Sequence, residues 1–172
     1  MNKILTYVDT CILSRIIDLR FTKETGVAVD KLCNIVEVDM VTSPKTLDEF
    51  MNVVDDKKRT ALKLLFKIIS KLQKKETTVY NPATWGSVMW GESVWGGGSN
   101  SEDPNYTKIK KIFDADDADH IYQAHKNNCD YFLTLDRKTI LNRAKKYEKD
   151  LLLIPINMKF VSPVDLVEKI SK

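Results

Sequence analysis

The chain has 172 residues, a length that suits one domain with its own hydrophobic core. Hydrophobic residues make up 43% and charged residues 30%, which excludes a disordered, collagen-like or coiled-coil protein. Lys and Arg number 27 and Asp and Glu 24, so the net charge of +3 does not by itself indicate a nucleic-acid partner.

The amino terminus and the cysteines exclude several further classes. The residues before Asp9 include too few apolar side chains for a signal peptide, and no apolar run reaches the roughly 20 residues that cross a bilayer. We therefore expect a cytoplasmic protein with no membrane partner. The cysteines, Cys11, Cys33 and Cys129, are widely spaced and form no Cys-x-x-Cys pair, so we expect neither a structural zinc site nor a disulfide framework.

The first part of the chain alternates apolar strands with helices. Residues 3–8 predict a strand, and Asp9-Thr10 begins a helix that runs to about Leu19. Residues 35–42 predict a second strand, and Ser43-Pro44 begins the next helix. That helix is expected to place Leu47, Phe50, Met51 and Val54 on one face. Residues 57–75 predict a longer basic helix, with a buried stripe of Ala61, Leu65, Ile68, Ile69 and Leu72.

Residues 77–106 break this alternation. They are rich in Gly, Ser, Asn and Pro, and Trp85, Trp90 and Trp95 recur every five residues, each followed by Gly. We interpret the segment as a long loop or small hairpin inserted into the domain. The tryptophans have two alternative roles, stacking on unpaired RNA bases or packing the insert onto the domain or a partner, which is the commoner fate of Trp.

The second part of the chain resumes the alternation. Helices are predicted over 107–113, 117–128 and 138–148, strands over 131–135 and 151–156, and a last helix from Ser162-Pro163. Strands that alternate with helices predict a parallel sheet covered on both faces. The expected fold is therefore a single α/β domain over residues 1–172.

Two aspartates occupy equivalent places in this pattern. Asp9 and Asp136 each close an apolar strand, and sites in open parallel sheets lie at the carboxyl ends of the strands. A third acid is expected from the run 114–119. Asp117 shares a helix face with the apolar Ile121, whereas Asp119 lies about 200° around the helix from Asp117. Asp117 is therefore the predicted inward acid, and helix capping is the alternative role of the run.

These segments resemble PIN-domain nucleases. The resemblance is carried by Tyr-Val-Asp-Thr-Cys-Ile-Leu at 7–13, by Asp-Ala-Asp-His at 117–120, by the strand that ends Thr-Leu-Asp at 134–136, and by the helices that begin at Ser43-Pro44 and Ser162-Pro163. It covers about residues 3–56 and 107–171. It implies an α/β/α sandwich and places the second acid at Glu49, with the neighbouring Asp48 as the alternative.

A site of four carboxylates without Cys or stacked His favours a hard cation, Mg²⁺ or Mn²⁺, as one or two ions. The resemblance implies a metal-dependent ribonuclease, toxin-like in some relatives. RNA is then the substrate, and an antitoxin, another protein or a second copy of the chain is a further partner. The expected metal ligands and catalytic residues are Asp9, Glu49, Asp117 and Asp136, supported by Thr10, Thr134 and His120.

Two basic residues directly follow the last of these acids. Arg137 and Lys138 lie next to Asp136 whatever the rest of the fold, so they are the leading candidates for phosphate contacts, with Trp85, Trp90 and Trp95 as candidates for base contacts. The main alternative function is a non-catalytic PIN-like module that binds RNA or protein through its Trp-Gly insert. A phosphatase-like hydrolase is disfavoured because no glycine-rich phosphate loop follows the first strand.

Overall fold

The computed structural model describes residues 3–72, 75–81, 99–154 and 156–171. Its strands are β1 (Ile4–Val8), β2 (Val38–Thr42), β3 (Ser70–Lys71), β4 (Thr78–Asn81), β5 (Ser99–Glu102), β6 (Tyr131–Leu133) and β7 (Lys159–Val161). Five of them form a parallel sheet in the order β3-β2-β1-β6-β7, whose edge strand β3 has two residues. The remaining two, β4 and β5, pair antiparallel with each other.

Helices connect these strands. They are α1 (Thr10–Asp18), α2 (Lys23–Asn34), α3 (Pro44–Met51), α4 (Asp56–Ile68), α5 (Pro104–Ile112), α6 (Ala115–Lys126), a π-helical turn (Arg137–Leu141), α7 (Asn142–Lys146), α8 (Glu148–Leu152) and α9 (Pro163–Ile170). In the described parts of the chain, no helix combines the length and the apolar character needed to span a membrane.

Buried side chains pack against each face of the sheet. Because neighbouring residues of a strand point to opposite faces, Tyr7 and Phe132 belong to one apolar cluster, and Val8 and Leu133 belong to the other. The first cluster includes side chains of α5, α6 and α7, and the second includes side chains of α1, α2, α3, α4 and α9. The expected α/β class, with a parallel sheet covered on both faces, is therefore confirmed.

The insert is described only at its two ends. Strands β4 and β5 pair in register from Thr78 with Glu102 to Asn81 with Ser99. Trp85, Trp90 and Trp95 lie outside the described residues. Helix α5 begins at Pro104, capped by the Asp103 side chain, so regular structure resumes three residues earlier than the predicted start at 107.

Two predicted elements are wrong. The apolar run 151–156 is not a strand: α8 includes residues up to Leu152, and the strand that pairs with β6 is β7, further along the chain. The helix predicted over 57–75 ends at Ile68, and β3 follows it. Its buried residues are Leu62 and Phe66 rather than the predicted stripe, and Ile68 is 81% exposed.

The helix α2 was not predicted from the sequence. Its buried side chains are limited to Ala28 and Leu32, so its apolar stripe is too narrow to stand out from its polar residues. In α3, Phe50 is fully buried as expected, but Met51 is exposed, and Val54 is exposed beyond the end of the helix at Met51.

The aromatic contacts at the centre of the sheet yield a stability prediction. Phe132 is fully buried between the rings of Tyr7 and Phe160, at centroid distances of 5.1 and 5.6 Å. Phe132→Ala should lower the free energy of unfolding by about 3–5 kcal/mol, because it removes a large side chain and leaves a cavity. Urea denaturation measures the change. Val54→Ala, at a site 94% exposed, is the control and should change stability by less than about 0.5 kcal/mol. Equal effects of the two variants would contradict this packing.

Candidate active site

The strand order creates a crevice at the carboxyl edge of the sheet. From β1 the chain adds β2 and β3 on one side, and it later adds β6 and β7 on the other. The connections after β1 and β6 therefore leave in opposite directions, which is the arrangement that forms ligand sites in open α/β sheets. Asp9 follows β1 at this point, and Thr134 to Asp136 follow β6.

Asp9 is buried, with 7% of its surface exposed. Its carboxylate does not cap α1, although Asp9 is the residue before that helix. Instead, the Thr134 hydroxyl and the Cys11 thiol donate to Oδ2, at 2.6 and 3.0 Å. Burial, followed by the charge of Asp9, raises the pKa of the Cys11 thiol to about 12, so the thiol stays protonated and remains a donor to Asp9. The carboxylate is thus held in one orientation by its neighbours.

Glu49 ends a buried chain of hydrogen bonds. Its Oε1 lies 2.8 Å from Nε2 of His120, Nδ1 of His120 lies 2.6 Å from the Tyr7 hydroxyl, and that hydroxyl lies 2.7 Å from Oγ of Ser43. Because a carboxylate only accepts, Nε2 of His120 carries a proton and donates to Glu49. The neighbouring Asp48 is exposed. The structure therefore directs Glu49, and not Asp48, toward His120.

The pair of Glu49 and His120 shifts both pKa values. Burial alone would raise the pKa of Glu49, but the hydrogen bond and charge of His120 outweigh it, and the pKa falls below its usual 4.5. Burial alone would lower the pKa of His120, but Glu49 and then Asp9 outweigh it, and the pKa rises above 6.5. Each partner thus favours the charged form of the other.

Asp117 lies within electrostatic reach of both Asp9 and Asp136. Burial raises the pKa of Asp117, and the charges of Asp9 and Asp136 raise it further, whereas the Thr139 side chain lowers it. Asp136 caps the π-helical turn through a 2.7 Å bond from the Thr139 backbone N–H to Oδ1. The charges of Asp9 and Asp136 thus both disfavour the ionised form of Asp117.

The other acids of α6 lie beside cations. Asp119 pairs with Lys45 at 3.1 Å and accepts a short hydrogen bond from the Tyr106 hydroxyl. Asp116 pairs with the same Lys45 at 3.3 Å. Asp114 pairs with Arg143 at 2.8 Å. Asp117 thus faces Asp9, whereas its neighbours on the helix hold basic side chains. Arg137 and Lys138 are exposed in the π-helical turn.

The donor atoms of the site include those that a divalent cation requires. Its charged donors are carboxylate oxygens, which suit Mg²⁺ or Mn²⁺. The Thr10 hydroxyl is buried, and its side chain contributes to the lowered pKa of Glu49. Within the described residues, no group of three or more His, Cys, Asp or Glu side chains is close enough to hold one ion. The residue types fit a hard cation, while the carboxylates are not gathered into a closed coordination shell.

Sequence reasoning missed three groups that contact the predicted residues. Tyr7 and Cys11 were treated only as strand and helix residues, although a tyrosine in a buried strand needs a partner for its hydroxyl. Lys45 precedes Glu49 by four residues on α3, a spacing that places two side chains on one helix face and could have identified it.

In comparisons with known proteins, no family model, no curated protein and no solved structure matches the chain. The site is therefore interpreted from its own geometry.

The pair of Glu49 and His120 predicts how stability depends on pH. The raised pKa of His120 stabilises the fold fully below pH 6.5, and this contribution is lost as the pH rises through the raised value. The lowered pKa of Glu49 stabilises the fold above pH 4.5, and this contribution is lost as the pH falls through the lowered value. The unfolding free energy of wild type should thus exceed that of His120→Gln by about 1–3 kcal/mol, and the difference should be largest where the pH lies between the pKa values of the two groups.

The measurement is urea denaturation of both proteins at pH 5.5, 7 and 9. His125→Gln is the matched control. Burial lowers the pKa of His125, so this histidine destabilises the fold as the pH falls, the opposite dependence to that of His120. The gap between wild type and His120→Gln should shrink toward pH 9. A gap that widens at pH 9 would contradict the assignment of charge to this pair.

Proposed function

We propose that the chain is a metal-dependent ribonuclease of the PIN-domain type. The observation that carries this proposal is the buried Asp9 at the strand-order reversal, held by Thr134 and Cys11 rather than used as a helix cap. A buried carboxylate with further acids in reach is costly unless a cation or a proton compensates it. The sequence resemblance over the same segments supports the same class.

Asp9 and Asp117 would hold the cation directly, and Glu49 and Asp136 directly or through water. When bound, Mg²⁺ or Mn²⁺ would lower the pKa of a water molecule and offset the negative charge that develops on the cleaved phosphate.

Neighbouring residues of the chain orient the carboxylates that would hold the cation. Thr134 and Cys11 fix the Asp9 carboxylate through Oδ2, so Oδ1 faces no competing hydrogen bond from either of them. His120 fixes Glu49 in the same manner, and the Thr139 backbone fixes Asp136. Carboxylates that are oriented before substrate arrives do not need to reorganise during the reaction, which is how such sites lower a barrier.

The substrate is proposed to be RNA. Arg137 and Lys138 follow Asp136 and are exposed, so phosphates on either side of the cleaved bond can reach them. The proposal includes a toxin-like role. An antitoxin or a second copy of the chain would then be a further partner. The second candidate is a non-catalytic RNA- or protein-binding module, favoured by the lack of a closed ligand group among the described residues.

Cleavage of RNA is the direct test. The purified protein should cleave single-stranded RNA in Mn²⁺ or Mg²⁺ and lose activity in EDTA. Asp9→Asn and Asp117→Asn should each lower the rate by roughly 100-fold or more, because each removes a charge that the cation requires. Asp30→Asn, an exposed carboxylate of α2, is the control and should retain the rate. Full activity of both site variants would exclude this function.

The role of the basic turn is tested by binding. The affinity for single-stranded RNA is measured without divalent metal at several salt concentrations. For the double variant Arg137→Ala/Lys138→Ala, the slope of log K against log salt should be smaller than that of wild type by about 1.4. Two lost phosphate contacts at about 0.7 each give this value. Lys31→Ala/Lys169→Ala, with exposed lysines on α2 and α9, should keep the slope. An unchanged slope in the first variant would place the phosphates elsewhere.

A further inference from the structure

A polar cavity of about 300 Å³ is lined in part by α3 and α6, which also contain Glu49 and Asp117. Asp9, Glu49, Asp117 and Asp136 are together called the acid cluster. The walls of the cavity are α3, α5, α6 and the segment 75–77, which includes the residues just before β4. The lining includes the side chains of Lys45, Asp48, Tyr106, Asp119 and Gln123. No step of the proposed cleavage uses this cavity.

The cavity shares two helices with the acid cluster. On α3, Lys45, Asp48 and Glu49 are spaced by three and four residues, so they lie on neighbouring parts of one helix surface. On α6, Asp119 lines the cavity and the next residue, His120, binds Glu49. A nucleotide that continues from the cleaved phosphate toward α3 would thus enter the cavity.

The walls of the cavity are fixed by hydrogen bonds. Gln123 accepts from the backbone N–H of Lys75 at 2.8 Å and donates to the carbonyl of Lys75 at 2.7 Å. The Tyr106 hydroxyl donates to Asp119. Lys45 donates to Asp116 and Asp119, which uses two of its three N–H groups and leaves one for a ligand. The cavity therefore presents a positioned cation beside carboxylate acceptors.

A carboxylate beside an ammonium group matches the Watson–Crick edge of one nucleobase better than those of the others. Guanine offers two adjacent donors, N1–H and N2–H, next to the acceptor O6 on its Watson–Crick edge. A carboxylate accepts from both donors at once, and a neighbouring ammonium donates to O6. Adenine and cytosine each offer one amino group, and uracil offers one N–H between two acceptors. Unpaired RNA bases are read through such edges.

We propose that this cavity binds a guanine base of the RNA next to the phosphate that is cleaved. The Asp48 carboxylate accepts from N1–H and N2–H of guanine, and the Lys45 ammonium group donates to O6. The proposal rests on the ribonuclease function for its substrate. It gives the exposed Asp48, which lies outside the hydrogen-bond chain of Glu49, a role in base selection.

Nucleotide binding tests the proposal without catalysis. GMP, AMP, CMP, UMP and inorganic phosphate are titrated into the full chain by calorimetry in EDTA, so only the base differs among the nucleotides. GMP should bind about 10-fold or more tightly than the other three. Asp48→Asn should remove this preference, and Lys45→Met should weaken GMP binding. Asp30→Asn on α2 should keep the preference, and circular dichroism verifies that every variant is folded.

Each outcome decides the proposal. Equal binding of the four nucleotides, or binding that inorganic phosphate reproduces, would overturn the guanine site. A guanine preference that survives Asp48→Asn would also overturn it. Because no cleavage is measured, a missing preference leaves the ribonuclease function standing. Conversely, an inactive protein that still selects GMP through Asp48 would retain the base site and reject the cleavage function.

Discussion

The side chain of Tyr7 is the contact on which the site geometry depends. Its ring is fully buried on β1 and stacks on Phe132 of β6, and its hydroxyl meets Ser43 before α3 and His120 on α6. One residue thus joins two central strands to two helices. Burial strongly raises the pKa of its hydroxyl, which therefore stays neutral and can both donate and accept. Its partner His120 binds Glu49 through the other ring nitrogen, so the tyrosine contact fixes the ring that orients this carboxylate.

The helix α6 contains acids of two kinds, those of the proposed site and those that form ion pairs, and they alternate along its sequence. Its inward surface contains Asp117 and His120, which belong to the acid cluster and to the chain that ends at Glu49. Its other surface contains Asp116 and Asp119, which hold Lys45. Helical geometry separates Asp117 from Asp119, because residues two apart point about 200° apart around the helix axis. A run of acids in a sequence can therefore combine a site with the ion pairs beside it.

The sequence could predict those features that depend on neighbouring residues. Strand β1 with Asp9, strand β6 with its following acid, and the inward surface of α6 follow from local periodicity, and the structure has each of these elements where it was expected. The last strand was misplaced because the run Leu151 to Ile154 is as apolar as a strand, although Leu152 and Leu153 are exposed. The contact between Tyr7 and His120 spans 113 residues, and no local pattern encodes a contact of that range.

The order of strands in the sheet has a consequence for synthesis. Asp9 leaves the ribosome before Thr134, whose hydroxyl orients it and lies 125 residues later in the chain. The central pair of β1 and β6 must likewise wait until β6 has been made. Contacts between such distant segments form late and slowly, because a long loop must close before they contribute. A nascent chain can therefore fold α1 and β2 around β1 while Asp9 still lacks the residue that aligns it.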